Sequence, residues 1–522
     1  MIHSDLLAYL DSELDFTKRK NWLSAYTNFD FSKYRKALYT VSEEEWMQAG
    51  KARALKLFHA TAKRVPAYKH FLKKNKVNPE KIKTFNDFEA IPITDKHNYI
   101  SQYSLKERSW DGEVSSNSMV AMSSGTSGDP KMWPRSGYQE FEAAITHELI
   151  YRELFEVSKY KTLVIVGFPM GVYVSGIATL LPSWLVSQKY GDLTVVSAGN
   201  NKNEVIRMVR HLHGDYEQIL LVGHPFFIKD VIGTGKDEGL QWGKIRLRMM
   251  FCSEGFNEVW RNFLISETGQ KNNPDVALNT YGSSELLLMG YETPFTILSR
   301  GLLEKHKVLQ KELLGSVGVP NILQFNPMLR YIESVNNELV FSAPSGVPLV
   351  RFNIKDSGKV LSTKQLGSIF RTSNTDLEKV LPKRQGIKIF WQLPVVTLDG
   401  RSDYAVVMYA ANIYPEHIHA GLNERLFLKR LTGKFALRKV FKKNMDETLE
   451  VNVELRPREK VSKSFAKQIQ SHIISTLKKL NMEYLDASKV FPEKLIPKVI
   501  LCPYQDDKYF KQGLKPRYII KD

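Results

Sequence analysis

The sequence predicts an α/β protein: a large layered N-terminal domain followed by a small α+β, ferredoxin-like C-terminal one. Three observations lead there. Between about Val114 and Leu398, short apolar runs alternate with amphipathic helical stretches, as layered sheets with largely parallel strands require. A turn-forming run, Leu398-Asp399-Gly400-Arg401-Ser402-Asp403, then breaks the alternation. Beyond it the pattern becomes β-α-β-β-α-β. At 522 residues the chain is also long enough for more than one domain. The expected division is therefore residues 1–399 and 400–522, with a helical lead-in over about residues 1–110.

In chain order, Gly50–Lys63 places basic and apolar residues at helical spacing, and Arg64-Val65-Pro66-Ala67-Tyr68 ends that helix. A second helix is expected over Tyr68–Lys76. Thr162–Val166, Leu193–Val196, Gln218–Val222, Arg248–Phe251 and Val276–Thr280 read as buried strands. Thr162 to Gln188 carries no charged residue and is long enough to cross a bilayer. Gly167, Pro169, Gly171, Gly176 and Pro182 interrupt it, so it reads instead as strand, loop and a helix over Ser175–Val186. In the last domain Tyr404–Ile413 reads as a strand and Pro415–Leu428 as a helix. Ala436–Phe441 and Leu449–Leu455 follow as strands, Lys460–Leu480 as a long helix and Lys498–Leu501 as a last strand.

Composition narrows the function. With 43% hydrophobic and 25% charged residues the chain is an ordinary globular one rather than a disordered one. Its two cysteines, Cys252 and Cys502, match no metal-ligand spacing and exclude a disulfide framework, which fits a reducing cytoplasm. The net charge is +18, of which about +10 lies after Ala410. That excess suits an acidic partner such as a phosphate-bearing cofactor or an acidic carrier protein. No zinc-finger spacing and no aromatic RNA-binding signature supports nucleic acid as the partner.

The sharpest chemical signal is Ser123-Ser124-Gly125-Thr126-Ser127-Gly128-Asp129-Pro130-Lys131. Small residues let backbone N–H groups turn inward around phosphate oxygens. The hydroxyls of Ser124, Thr126 and Ser127 add donors, and Lys131 adds a charge. The Walker spacing is absent. Tyr281-Gly282-Ser283-Ser284-Glu285 follows a predicted strand, Asp356 closes a strand-turn junction after Arg351-Phe352-Asn353-Ile354-Lys355, and Gly400-Arg401-Ser402-Asp403 sits at the domain boundary. Gly167–Tyr173 and Gly223-His224-Pro225-Phe226-Phe227 are candidate pocket walls, although ordinary core packing explains both as well, and His224 reads as a structural histidine rather than a base.

In this order these segments resemble the adenylate-forming enzymes, most of all the phenylacetate–CoA ligase branch. Arg64–Tyr68, Ala90-Ile91-Pro92-Ile93-Thr94-Asp95-Lys96, Cys252-Ser253-Glu254-Gly255, Gly400–Pro415 and Glu454-Leu455-Arg456-Pro457 extend the resemblance over roughly residues 50 to 520. It implies ATP- and Mg²⁺-dependent activation of a carboxylic acid to an acyl-adenylate, with release of pyrophosphate. Acyl transfer to a thiol such as coenzyme A follows, with an amine such as an amino acid, or a carrier protein, as the alternative acceptor. A reading of another class is a non-catalytic descendant that binds nucleotide or nucleic acid through the basic tail, and the intact loop and Glu285 argue against it.

The resemblance also implies roles. Ser123, Ser124, Gly125, Thr126, Ser127, Gly128 and Lys131 would hold the β- and γ-phosphates, with Ser253, Glu254 and Gly255 as a nucleotide loop. Tyr281 would stack on adenine beside Gly282, Ser283 and Ser284. Glu285 would ligate Mg²⁺, Asp356 would bind the ribose hydroxyls and Arg401 would touch the nucleotide. Asp403 would be the hinge and Lys515, in Gly513-Leu514-Lys515-Pro516-Arg517, the adenylation lysine. Two departures stand out. The family's Thr-Gly-Asp is Ile354-Lys355-Asp356 here, and the C-terminal lysine segment looks more like the ending of the plant hormone–amino acid ligases.

Overall fold

In the computed structural model the chain divides into two compact units; it passes for the last time from the first to the second between Gly400 and Arg401, and Lys131 groups with the second. The structure describes all residues except 1, 18–20, 115–118, 123–130, 271–272, 315–318, 385–386, 402–404, 423–426, 428, 507, 511–517 and 521–522.

The first unit is built on a nine-stranded sheet. Five parallel strands run in the order Ala277–Ser283, Leu247–Phe251, Gln218–Gly223, Thr162–Gly167, Leu193–Ser197. Leu163-Val164-Ile165-Val166 and Ile219-Leu220-Leu221-Val222 are buried throughout, because helices cover both faces of such strands. Four antiparallel strands, Leu287–Tyr291, Asn321–Gln324, Val395–Leu398 and Val360–Leu361, continue the sheet from the Ala277–Ser283 side. A second sheet runs through Thr94–Asp95, Leu349–Ser357, Glu338–Ala343 and Tyr331–Val335.

The lead-in is helical. Ser42 and Glu45 form a capping box that starts the helix Glu43–Arg64. Val65 ends it in an extended conformation, as a residue before proline must, and Pro66 opens the helix Pro66–Lys74. The second helix thus begins two residues before the expected Tyr68. One face of Glu43–Arg64, with Ala54, Leu57 and Phe58, packs in a core with Phe341 and Phe352 of the second sheet. Gly50 lets the helix approach Pro327: a Cβ there would stand 2.5 Å from the Pro327 side chain and 2.9 Å from its carbonyl oxygen. The uncharged stretch after Thr162 is a buried strand and the helix Val174–Tyr190, and among the described residues no helix is long and apolar enough to cross a membrane.

The second unit is α+β. Its sheet runs Lys498–Cys502, Glu447–Leu455, Leu431–Phe441, Ile519–Ile520, with the central pair antiparallel and each outer strand parallel to its neighbour. The long helix Lys463–Leu480 buries Phe465, Ile469, Ile473 and Leu477. The expected single strand Tyr404–Ile413 is instead a hairpin, Val406–Met408 against Ala411–Ile413. Tyr409 and Ala410 turn it at φ +49° and +67°, the two positive dihedrals of a tight two-residue turn. The helix Met482–Val490 was not expected from the sequence pattern.

Candidate active site

The register of the parallel strands brings the candidate segments into one row. Gly167 lies opposite Gly223, Gly223 opposite Phe251, and Phe251 opposite Asn279. Each marks the carboxyl end of its strand or the approach to it. The segments that follow are Phe168–Tyr173, His224–Phe227, Cys252–Gly255 and Thr280–Glu285. Open α/β sheets bind ligands outside the carboxyl ends of their strands, where loops can vary without disturbing the sheet.

Within this row Ser253 is exposed and adopts φ +79°. Glu254 is buried, and its carboxylate lies 3.0 Å from His224 Nε2, joining two of the candidate segments. Gly255 lies close under Asn321: a Cβ there would stand 2.0 Å from Asn321 Nδ2, so that side chain would have to move. Phe226 and Phe227 are core residues, with Phe226 against the Trp260 ring. Burial raises the pKa of the Cys252 thiol, which keeps it protonated.

Tyr281 and Asp356, assigned separately to adenine and ribose, are brought together: the Tyr281 hydroxyl donates to Asp356 Oδ2 at 2.5 Å, and both side chains are buried. Gly282 and Ser283 continue into a hairpin with Leu287–Tyr291, and the Leu286 amide donates to Ser283 Oγ at 3.3 Å. Ser284 and Glu285 form its turn. Glu285 is 4% exposed, and Lys96 Nζ lies 2.9 Å from its Oε1. Burial alone would push this carboxyl up, but the Lys96 ammonium together with hydrogen bonds from the Glu285 backbone and Ser283 holds the group below the usual carboxylate range. No spacing in the sequence ties Lys96 to a residue so far along the chain.

A buried ionic quartet lies behind the row. Arg261 sits 2.9 Å from Glu258 and 2.7 Å from Glu292, and Arg300 is 3.3 Å from Glu258. Arg261 donates to the Ala277 carbonyl and Arg300 to that of Phe256. Glu292 accepts the Asn279 amide at 2.7 Å, and Asn279 Nδ2 donates to the Glu254 carbonyl at 3.4 Å. The quartet therefore ties the strand carrying Tyr281 to the loop carrying Glu254. The sequence reading missed it, because isolated Arg and Glu residues look like solvated surface.

Lys131 directly precedes the strand Met132–Arg135, which pairs antiparallel with Met119–Met122, Met122 opposite Met132. Ser123, Ser124, Gly125, Thr126, Ser127 and Gly128, the core of the expected phosphate loop, lie outside the described residues, as do Asp403 and Lys515. Arg401 belongs to the second unit and is half-buried. Among the described residues no group of three or more His, Cys, Asp or Glu forms a metal cluster. A single buried carboxylate fits Mg²⁺, which binds through one or two carboxylates and completes its shell with substrate phosphates and water.

No protein-family model matches the sequence, and no curated protein matches it. Solved structures do. The chain is similar to 2-hydroxyisobutyryl-CoA ligase in complex with 2-HIB-AMP and CoA in the thioesterification state, at 16% identity and TM-score 0.61, over 93% of this chain and 92% of that one. An open conformation of the same ligase matches at 15% identity and TM-score 0.54, over 93% and 94%. At such identities the likeness is one of fold: this chain is a mixed α/β protein with the fold of that ligase.

Proposed function

We propose that this protein activates a carboxylic acid with ATP, forming an acyl-adenylate and pyrophosphate, and then transfers the acyl group to a thiol such as coenzyme A. The observation that carries the reading is the single row of strand ends, with Tyr281 bonded to Asp356 and the buried Glu285 carboxylate four residues on from Tyr281. The full-length fold match to a ligase whose structure holds an acyl-adenylate and CoA supports it.

A carboxylate is a poor nucleophile and is repelled by triphosphate, so the site must neutralise charge before the two can meet. When bound, Mg²⁺ would supply that neutralisation at the phosphates. Glu285 would hold it, and Lys131 with Ser123, Ser124, Gly125, Thr126, Ser127 and Gly128 would hold the β- and γ-phosphates. Ser253, Glu254 and Gly255 would border the nucleotide, Glu254 through its backbone since its carboxylate is engaged with His224. Gly282, Ser283 and Ser284 would flank the adenine beside Tyr281, and Arg401 would touch the nucleotide. Asp403 is the proposed hinge and Lys515 the proposed adenylation lysine. A phenylacetate–CoA ligase-like acid and a cytoplasmic setting belong to the same proposal.

The unusual ending at Gly513–Arg517 favours a second reading, in which the acceptor is an amine or a carrier protein. ATP–pyrophosphate exchange over a panel of aryl and aliphatic acids tests the activation step. Coenzyme A, amino acids and a carrier protein offered to the active mixture then decide the acceptor. Absence of exchange with every acid, in a folded preparation, removes the proposal.

A further inference from the structure

Lys96 occupies the place beside Glu285 where a cation would serve it. The two side chains are unequal. Glu285 is 4% exposed, whereas Lys96 is 41% exposed and carries its charge on a flexible stem. The backbone fixes where that stem begins. Thr94 and Asp95 pair in parallel with Phe352 and Asn353, and Asp95 Oδ1 accepts the amides of His97 at 2.8 Å and Asn98 at 2.7 Å. Glu285 is fixed more tightly. Ser345 Oγ donates to its carbonyl at 3.3 Å, and Arg330 Nε donates to the carbonyl of Leu286 at 2.8 Å. Arg330 in turn pairs with buried Glu142. One partner is therefore held by its backbone and dry, while the other is partly open to water.

A buried carboxylate needs a counter-charge whether or not a ligand is present. Resting on the nucleotide role proposed for Glu285, we propose that Lys96 is its resident counterion, holding the carboxylate in place until a Mg²⁺–nucleotide displaces it. Lysine and divalent cation then compete for one carboxylate, so the binding of either is linked to the release of the other. The lysine keeps the empty site folded, at a cost in affinity for the metal–nucleotide complex.

The test uses the full chain, Mn²⁺ as a spectroscopic probe, ATP, and the variants Lys96→Met and Lys96→Arg. Without metal, K96M should unfold about 2–4 °C below the parent. Saturating Mn²⁺–ATP should close that gap, and K96M should bind Mn²⁺–ATP about fivefold more tightly than the parent. K96R should behave as the parent. Glu285→Gln placed in the K96M background should remove the tightening. The proposal is overturned if K96M binds Mn²⁺–ATP no more tightly than the parent, if the gap in unfolding temperature persists with ligand, or if the double variant stays tight. Pyrophosphate exchange by the parent is measured separately. If exchange is absent while the Mn²⁺ effects hold, the activation reading fails and the counterion stands.

Discussion

At Lys355 the backbone turns through φ +68°, a conformation that costs a residue with a side chain about 1 kcal/mol. The pairing of this strand with Glu338–Ala343 is also irregular there, with a register shift between Glu338 and Val340. A glycine belongs at such a bend, and the resembling enzymes carry one. The Lys355 ammonium lies 3.8 Å from Asp95 and 3.7 Å from Glu338, while the neighbouring Asp356 is engaged with Tyr281. At 40% exposure those ion pairs contribute little. Lys355→Gly should therefore leave stability unchanged or raise it by up to about 1 kcal/mol, read from a denaturant midpoint. Nucleotide affinity should change by less than about twofold, and a larger loss would mean the lysine itself serves the nucleotide. Glu285 behaves oppositely. Glu285→Ala should lower pyrophosphate exchange about a hundredfold or more with the fold intact, and full exchange activity would show that the metal ligand lies elsewhere.

For whole elements, the helix Glu43–Arg64 shows tertiary contact overruling local preference. Alanine is normally worth about 1 kcal/mol over glycine inside a helix. At Gly50 the added methyl would meet Pro327 at 2.5 Å, so Gly50→Ala should destabilise by roughly 1–3 kcal/mol instead. A thermal or urea midpoint decides the sign. Much of the element order was legible in the sequence, since buried parallel strands such as Thr162–Gly167 write themselves as unbroken β-branched runs and Pro66 marks its helix boundary. The hairpin at Tyr409-Ala410 was not legible, because those residues carry none of the Asn-Gly signal of a positive-φ turn. Of the site, the strand-end segments and Asp356 could be found as motifs. The Lys96–Glu285 pair and the quartet around Arg261 could not, because each joins positions that only the folded sheets bring together.

Across the molecule, the proposed chemistry has two steps with conflicting needs. Adenylation favours a dry site with a lysine at the α-phosphate, whereas transfer needs a path for the acceptor. A few residues at an element end can absorb a rotation, and Asp403, just past the last passage of the chain from the first unit to the second, is the proposed pivot. Proline fixes φ near −65°, so Asp403→Pro should retain most pyrophosphate exchange and lose most acyl transfer. Parallel assays of both steps on one folded preparation decide it. Transfer at the parent rate would mean that the reaction does not turn about this residue.

The quartet of Arg261, Arg300, Glu258 and Glu292 has a consequence for how the molecule opens. Its two positive and two negative groups balance, and all four are buried, so added salt should reach the lysine-rich surface and leave the quartet untouched. The Asn279 amide is locked onto Glu292 within it. In deuterated water that proton should exchange among the slowest of the first unit and at a rate indifferent to ionic strength, because freeing it means unpairing the quartet as a whole. Mass-spectrometric exchange over Ala277–Ser283 at low and high salt would show whether this strand is the last part of the sheet to let water in.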